Sequence, residues 1–334
     1  MTATDPAGDP DRWVPDPMGD GLIRRGRDPS RHRAAADHMP RLPISVLDAR
    51  TGWWADRKRR WRDLIGHGGE TREHVTTGGG VQVSAPMGAR PIGAAGGSTF
   101  DPVLAELLTR WYAVPGGTVL DPFAGGATRG MVAAHFGQRY HGIDIRPAQV
   151  AANQRVAQGQ LPAHLPTPTW ESGDATNLAD TTAPTQADLL LTCPPYADLE
   201  RYSDDPRDLS TMTYPRFREA HTSAITQACA RLGDDRYAVW VVGEARGRDG
   251  GLYGIVPDTI AALRAAGLTY LSEAVMVTPV GNLPIRAPGL FFRTRALHRA
   301  HQTVLVFVKG DRRRAMRATR DGPAQAAGSA RTLT

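Results

Sequence analysis

Cysteine is nearly missing from this chain of 334 residues, in which only Cys193 and Cys229 occur. Two cysteines so far apart make neither a disulfide framework nor a zinc site, and no metal is expected; their scarcity fits a reducing compartment. There is no apolar run long enough to cross a bilayer and no signal-like N-terminus, so a soluble cytoplasmic protein without a membrane partner is expected. Lysine is scarce too: of forty basic residues only Lys58 and Lys309 are lysines. The net charge of +6 suits a polyanion, yet 311–334 holds six Arg against two Asp and leaves the body nearly balanced. Charge therefore gives only weak support for nucleic acid. The chain also lacks G-x-G-x-x-G and a Walker Lys before Ser or Thr, which disfavours NAD and ATP.

What is present divides into four parts. Residues 1–43 combine Pro, Gly and mixed charge without apolar periodicity, and a disordered extension is predicted there. In 44–97 a helix is predicted with Trp54, Trp61, Leu64 and Ile65 on one face. Arg57, Lys58, Arg59, Arg60 and Arg62 surround it, either docked by the tryptophans or set against phosphates. The glycine-rich 66–97 that follows reads as a lid or as disorder. Residues 98–310 alternate strand and helix patterns, and 311–334 reads as a basic disordered tail.

The alternation opens with strand 118–120, the turn Asp121-Pro122-Phe123-Ala124-Gly125-Gly126-Ala127, and a helix, which form the first half of a nucleotide-binding βαβ unit. Strand 140–145 carries Asp144, placed to accept ribose hydroxyls, and strand 170–173 ends at Asp174. A carboxylate at Asp121 repels a pyrophosphate but suits a cofactor ending in an ammonium and a sulfonium. The run 187–192 then delivers Cys193-Pro194-Pro195-Tyr196 at the end of a buried strand. Two prolines stop the ladder and leave a carbonyl facing a cavity beside a flat ring. An acceptor next to a stacking platform is what the exocyclic amine of an extruded nucleobase requires.

Asp121-Pro122-Phe123-Ala124-Gly125-Gly126 together with Cys193-Pro194-Pro195-Tyr196 resembles the DNA amino-methyltransferases, which use S-adenosyl-L-methionine to methylate N6 of adenine or N4 of cytosine. Their motifs read D-P-F-x-G-S-G and [DNS]-P-P-[YFW]. Trp54, Arg57-Lys58 and Trp61, Phe100-Asp101-Pro102, Tyr202-Ser203-Asp204-Asp205-Pro206 and His301-Gln302 with Val306-Phe307-Val308-Lys309-Gly310 are similar to phage and prophage DNA methylases. The resemblance covers about 98–310. It implies an α/β, Rossmann-like methyltransferase fold with a seven-stranded, mostly parallel sheet and a C-terminal antiparallel hairpin.

For the cofactor it implies Ser98, Thr99 and Phe100, with Asp121, Pro122, Phe123, Ala124, Gly125 and Gly126 at the methionine end. Asp144 and Ile145 would lie at the ribose, and Asp174 and Ala175 at the adenine. Tyr196 would stack the flipped base, while Cys193, Pro194 and Pro195 form the catalytic turn. Arg286, Arg293 and Arg295 are candidate phosphate contacts on DNA, in what reads as an Arg-rich hairpin. Ala127 and Cys193 depart from the family pattern. The motif order is adenine-like and Thr192-Cys193 is cytosine-like, so the target base stays open. Three alternatives remain: an RNA methyltransferase of the same fold, a DNA-binding protein without turnover, and a Cys193 thiolate attacking a pyrimidine.

Overall fold

Apolar runs bounded by glycine and proline become the central strands, and their alternate side chains feed two separate helical layers. The computed structural model describes residues 13–15, 22–24, 43–66, 76–77, 99–183, 185–279, 281 and 283–321. The chain begins with β1 (Trp13–Pro15), β2 (Leu22–Arg24), β3 (Val46–Asp48), α1 (Gly52–Ile65), β4 (Thr76–Thr77) and α2 (Pro102–Tyr112). The alternating part is β5 (Thr118–Asp121), α3 (Thr128–His135), β6 (Arg139–Asp144), α4 (Pro147–Gln160), β7 (Thr169–Ser172), α5 (Leu178–Thr181) and β8 (Ala187–Thr192). After it come β9 (Glu200–Arg201), α6 (Tyr214–Arg231), β10 (Leu232–Val242), α7 (Ile255–Ala265), β11 (Thr269–Val277), α8 (Leu283–Thr294), β12 (His301–Lys309) and α9 (Arg312–Asp321).

The main sheet has the order β3-β11-β12-β10-β8-β5-β6-β7, and β12 alone runs against its neighbours. Val119, Leu189, Val239 and Val306 pack on one side with residues of α1, α2, α3 and α4. Leu120, Leu190, Trp240 and Phe307 pack on the other with α6 and α7. The parallel sheet and the antiparallel C-terminal pair are as the sequence predicts, but the strand count is eight. The extra strand is β3, three residues long and too short to show a period, whose Leu47 is fully buried.

Three other expectations change. Trp13–Pro15 and Leu22–Arg24, in a segment expected to be disordered, pair antiparallel with Val14 opposite Ile23, two apolar dipeptides in register. Residues 312–321 of the expected disordered tail form α9, because Ala315 and Ala318 lie one turn apart and are buried. Asp311 caps this helix by accepting from the Arg314 backbone N at 2.8 Å. The Arg-rich hairpin is instead a connection containing α8. Most of the glycine-rich 66–97 lies outside the described residues; within it, β4 pairs antiparallel with β9.

Helix α1 is tied down by a charge cluster. The buried Glu106 carboxylate of α2 accepts from Arg57 Nε at 2.7 Å and Nη2 at 2.6 Å, from Trp61 Nε1 at 2.7 Å and from Arg110 Nη1 at 2.9 Å. Asp101 takes Lys58 Nζ at 2.7 Å and Trp54 Nε1 at 3.2 Å. Arg57, expected on the polar side, therefore belongs to the docked face with Trp54 and Trp61. Leu64, expected on the apolar face, is exposed. No helix among the described residues is long and apolar enough to cross a membrane.

Removing a carboxylate that several buried donors share leaves those donors unpaired, which costs about 3–5 kcal/mol. Glu106→Ala is expected to lower unfolding stability by about that much in urea titrations followed by tryptophan fluorescence. A loss under about 1 kcal/mol would show that α1 is held by packing alone.

Candidate active site

The carboxyl ends of β5, β6, β7 and β8 open on one edge of the sheet, where ligands of open α/β folds bind. A cleft of about 570 Å³ occupies that edge, with Trp54, Ala55 and Lys58 of α1 forming part of its wall. Its floor is the turn after β5. Gly125 adopts a φ of +52°, open to glycine without strain, and nothing lies within 4 Å of where a Cβ would project. The loop is held from both sides. Gly125 N donates to Asp144 Oδ2 at 3.1 Å, and its carbonyl accepts from Asn153 Nδ2 at 2.7 Å. Asn153 is itself bonded by Gln149 Nε2 at 2.9 Å.

Asp144 and Asp174 both border the cleft. Burial pushes the Asp144 carboxyl up, against the pull of the Arg146 guanidinium and of its backbone N–H. Asp174 Oδ1 accepts from the backbone N and the hydroxyl of Thr176, at 2.8 and 2.7 Å. Oδ2 has no hydrogen-bond partner among the described residues. Pro122, Phe123, Ala124, Gly126, Ile145, Ala175, Thr99 and Phe100 also line the cleft, and Ser98 lies outside the described residues.

Asp121 does not reach the cleft. It is fully buried, and its oxygens accept from Arg129 Nε at 2.5 Å, Tyr140 Oη at 2.7 Å, Thr192 Oγ1 at 2.6 Å and Phe123 N at 3.2 Å. With every direction filled, its side chain has no approach to an ammonium group. The group that does reach the cleft is Arg129. Burial pulls its guanidinium down, yet the Asp121 carboxylate beside it makes the net shift upward, so it stays charged. Its Nη2 donates to the carbonyls of Phe123 and Ala124 at 2.6 and 3.0 Å, and its Cζ sits 4.4 Å from the Phe100 ring centroid.

Cys193, Pro194, Pro195 and Tyr196 line the opposite wall of the same cleft. The Tyr196 ring rests on Gly243, where a Cβ would stand 2.6 Å from a ring carbon. Its hydroxyl lies 3.1 Å from Cys193 Sγ and accepts from Gln302 Nε2 at 3.1 Å. Ala197 follows with a φ of +52°, an uncommon conformation for a residue with a Cβ. Pro194 is buried, and no donor among the described residues bonds its carbonyl. Burial raises the Cys193 thiol, opposed by the charge of Arg129, and burial raises the Tyr196 hydroxyl well above its ordinary value.

The acidic loop after the turn folds on itself. Asp208 accepts from the backbone N and hydroxyl of Ser210 and from the hydroxyl of Ser203, and Asp205 pairs with Arg207. Glu200 and Tyr202 remain at the cleft, with the tyrosine hydroxyl donating to Glu200 Oε2 at 2.7 Å. Arg293 and Arg295 line no part of the cleft, and the side chain of Arg286 lies outside the described residues. The sequence gives no site role to Arg129, Gln302 or Gly243, and it offers Lys58 to phosphates rather than to this cleft. Of the first three, only Arg129 has a visible signal, as the basic residue closing the turn after Asp121.

No protein-family model matches the sequence, and no curated protein does either. Among solved structures, TrmN from Thermus thermophilus is similar at 19% identity over 62% of this chain and 48% of its own, with a TM-score of 0.41. The chain thus spans about half of TrmN's length. Magnesium protoporphyrin IX methyltransferase ChlM from Synechocystis PCC 6803, solved with bound SAM, matches at 15% identity over 64% of this chain and 86% of its own, TM-score 0.41. The [4+2]-cyclase SpnF matches at 16% identity over 63% of this chain and 82% of its own, TM-score 0.45. The Rossmann-like methyltransferase fold of this chain follows from its strand order and from its one reversed strand.

A thiol raised above its ordinary range is protonated at neutral pH and unreactive, because the thiolate is the nucleophile. Mass-mapped alkylation of the native protein by iodoacetamide is expected to leave Cys193 slow near neutral pH and to accelerate only in alkaline buffer. Cys229, which burial pushes up to about 12, is expected to be slow as well. Alkylation of Cys193 near neutral pH at the rate of free cysteine would contradict the environment described.

Proposed function

We propose that this protein is an S-adenosylmethionine-dependent methyltransferase that acts on an exocyclic amine of a base in DNA. The observation that carries the reading is that the two carboxylate-bearing strand ends and the Pro-Pro-Tyr turn border one cleft.

The residues present fit the cofactor. Asp174 Oδ2, at the cleft and without a partner, suits an adenine amine, and the lone pairs left on Asp144 suit ribose hydroxyls. Phe123, Ile145 and Ala175 supply apolar walls for a ring, and the Gly125–Gly126 backbone admits close approach. Arg129 and Lys58, on either side of Phe100 and Asp101, place positive charge where a methionine carboxylate would be held. This differs from an arrangement in which Asp121 grips the ammonium. When bound, the cofactor supplies an electrophilic methyl group on a sulfonium.

The chain's own contribution is positioning and polarisation. Tyr196, pressed on Gly243 and bonded by Gln302, is a fixed plate on which a base can stack. The Pro194 carbonyl accepts a hydrogen bond from the amine and so draws electron density onto the nitrogen. No strong base is required, since the nitrogen sheds its surplus proton to water after the N–C bond forms. The neutral Cys193 thiol neighbours Tyr196 and is the wrong protonation state for attack on a pyrimidine ring. The same acceptors serve N6 of adenine and N4 of cytosine.

Labelled methyl transfer to unmethylated DNA of varied sequence, followed by nucleoside mass spectrometry, is expected to yield N6-methyladenine or N4-methylcytosine. Label found only in RNA or protein would overturn the substrate class. Cys193→Ser is expected to keep most activity, which excludes a covalent thiolate route. Tyr196→Ala should lower kcat/KM by about tenfold or more, with Tyr196→Phe milder. Asp174→Asn should weaken cofactor binding by about tenfold or more in calorimetric titration, since hydrogen bonds to charged groups contribute about 1.5–3 kcal/mol.

A further inference from the structure

The connection between β11 and β12 leaves the sheet at the cleft and returns to it there. Thr278 and Pro279 line the cleft at one end, and Gln302, bonded to Tyr196 Oη, lines it at the other. The base is clamped, with Thr278 N and Oγ1 both donating to the Ala300 carbonyl at 3.0 and 3.2 Å. Between these ends the chain displays large apolar side chains to solvent: Ile285 at 84% exposure, Phe292 at 73% and Leu297 at 74%. Such a patch is unfavourable in water unless something covers it.

Charge identifies what would cover it. Residues 279–300 hold four Arg and no Asp or Glu. Arg299 is used internally, on the His301 carbonyl and the Thr303 hydroxyl, and Arg246 braces the segment through the Leu297 carbonyl. Arg293 and Arg295 have no carboxylate partner among the described residues, and Arg295 lies 5.4 Å from the Phe291 ring centroid. Exposed rings flanked by guanidinium groups without a carboxylate partner match a partner with an anionic skin and a stacked apolar interior. A duplex nucleic acid has both.

We infer that α8 and the turn after it form the wedge that opens a DNA duplex beside the target nucleotide. Phe292 enters the base stack, and Arg293 and Arg295 hold the flanking phosphates. The inference rests on the function proposed above and adds to it the element that makes the amine accessible. A base inside a duplex cannot reach Tyr196 without unstacking, and a side chain filling the vacated space offsets part of that cost. The clamp at Thr278 and Ala300 places the wedge at the rim of the cleft that receives the base.

Religation of a nicked, unmethylated plasmid in the presence of protein reads unwinding, and methyl incorporation into the same plasmid reads turnover. The wild type and Phe292→Trp are expected to lower the linking number. Phe292→Ala should still retard the plasmid on a gel, leave the linking number unchanged, and methylate about tenfold to hundredfold less. Arg293→Gln and Arg295→Gln should each reduce the slope of log binding constant against log salt by about one. If the wild type methylates the plasmid and Phe292→Ala does so equally, or if bound wild type leaves the linking number unchanged, the wedge is overturned and the methylation reading stands. If the wild type transfers no methyl to DNA, that reading fails and the wedge with it. Preferential binding to phosphatidylglycerol vesicles, abolished by Phe292→Ala, would overturn the wedge in favour of a membrane surface.

Discussion

The buried carboxylate of Asp121 is the contact on which the site depends. It gathers the Arg129 guanidinium of α3, the Tyr140 hydroxyl of β6, the Thr192 hydroxyl of β8 and a backbone N–H of its own turn. A lone charge in such a place would be very unfavourable; a charge with an opposite partner and full hydrogen bonding is tolerated and fixes geometry. Thr192 immediately precedes the Pro-Pro-Tyr turn. The same carboxylate therefore sets the position of the glycine turn on one wall of the cleft and of Tyr196 on the other. Arg129 extends the effect by tying up two carbonyls of the glycine turn.

Asp121 also shows how far the sequence could be read. Its identity and place at a strand end are plain in the sequence, which points to a ligand, whereas the folded side chain faces inward. Period-two alternation held the answer: Val119 packs toward α1–α4, Leu120 toward α6 and α7, and Asp121 returns to the first side, among Tyr140 and Arg129. Arg57 gives a similar lesson. It stands three residues after Trp54 and four before Trp61, so helical spacing puts it on the docked face. Its charge suggested water, because Glu106, the partner that permits burial, lies far along the chain.

The parallel core and the cleft-lining motifs were legible because their patterns are local: apolar runs, glycine turns, a double proline. What was not legible depended on distant pairing. β3 is too short to carry a period and exists through its ladder with β11. Gln302 and Gly243 matter only because their strands bring them to Tyr196. The connection containing α8 stands out in the sequence for its arginines, while the exposure of its apolar side chains is a property of the folded surface.

One wall of the cleft comes from the early part of the chain. β3 pairs Val46 with Val275, and α1 directly follows it with Trp54 and Lys58 on the cleft. Contacts that close so long a loop form late, after the intervening chain has been collapsed by local structure. During synthesis α1 can therefore dock early, its tryptophans meeting Asp101, Glu106 and His135, while β3 stays without its ladder until β11 has left the ribosome. The backbone that leads into this wall of the cleft is thus fixed only after the helix it carries has already been seated.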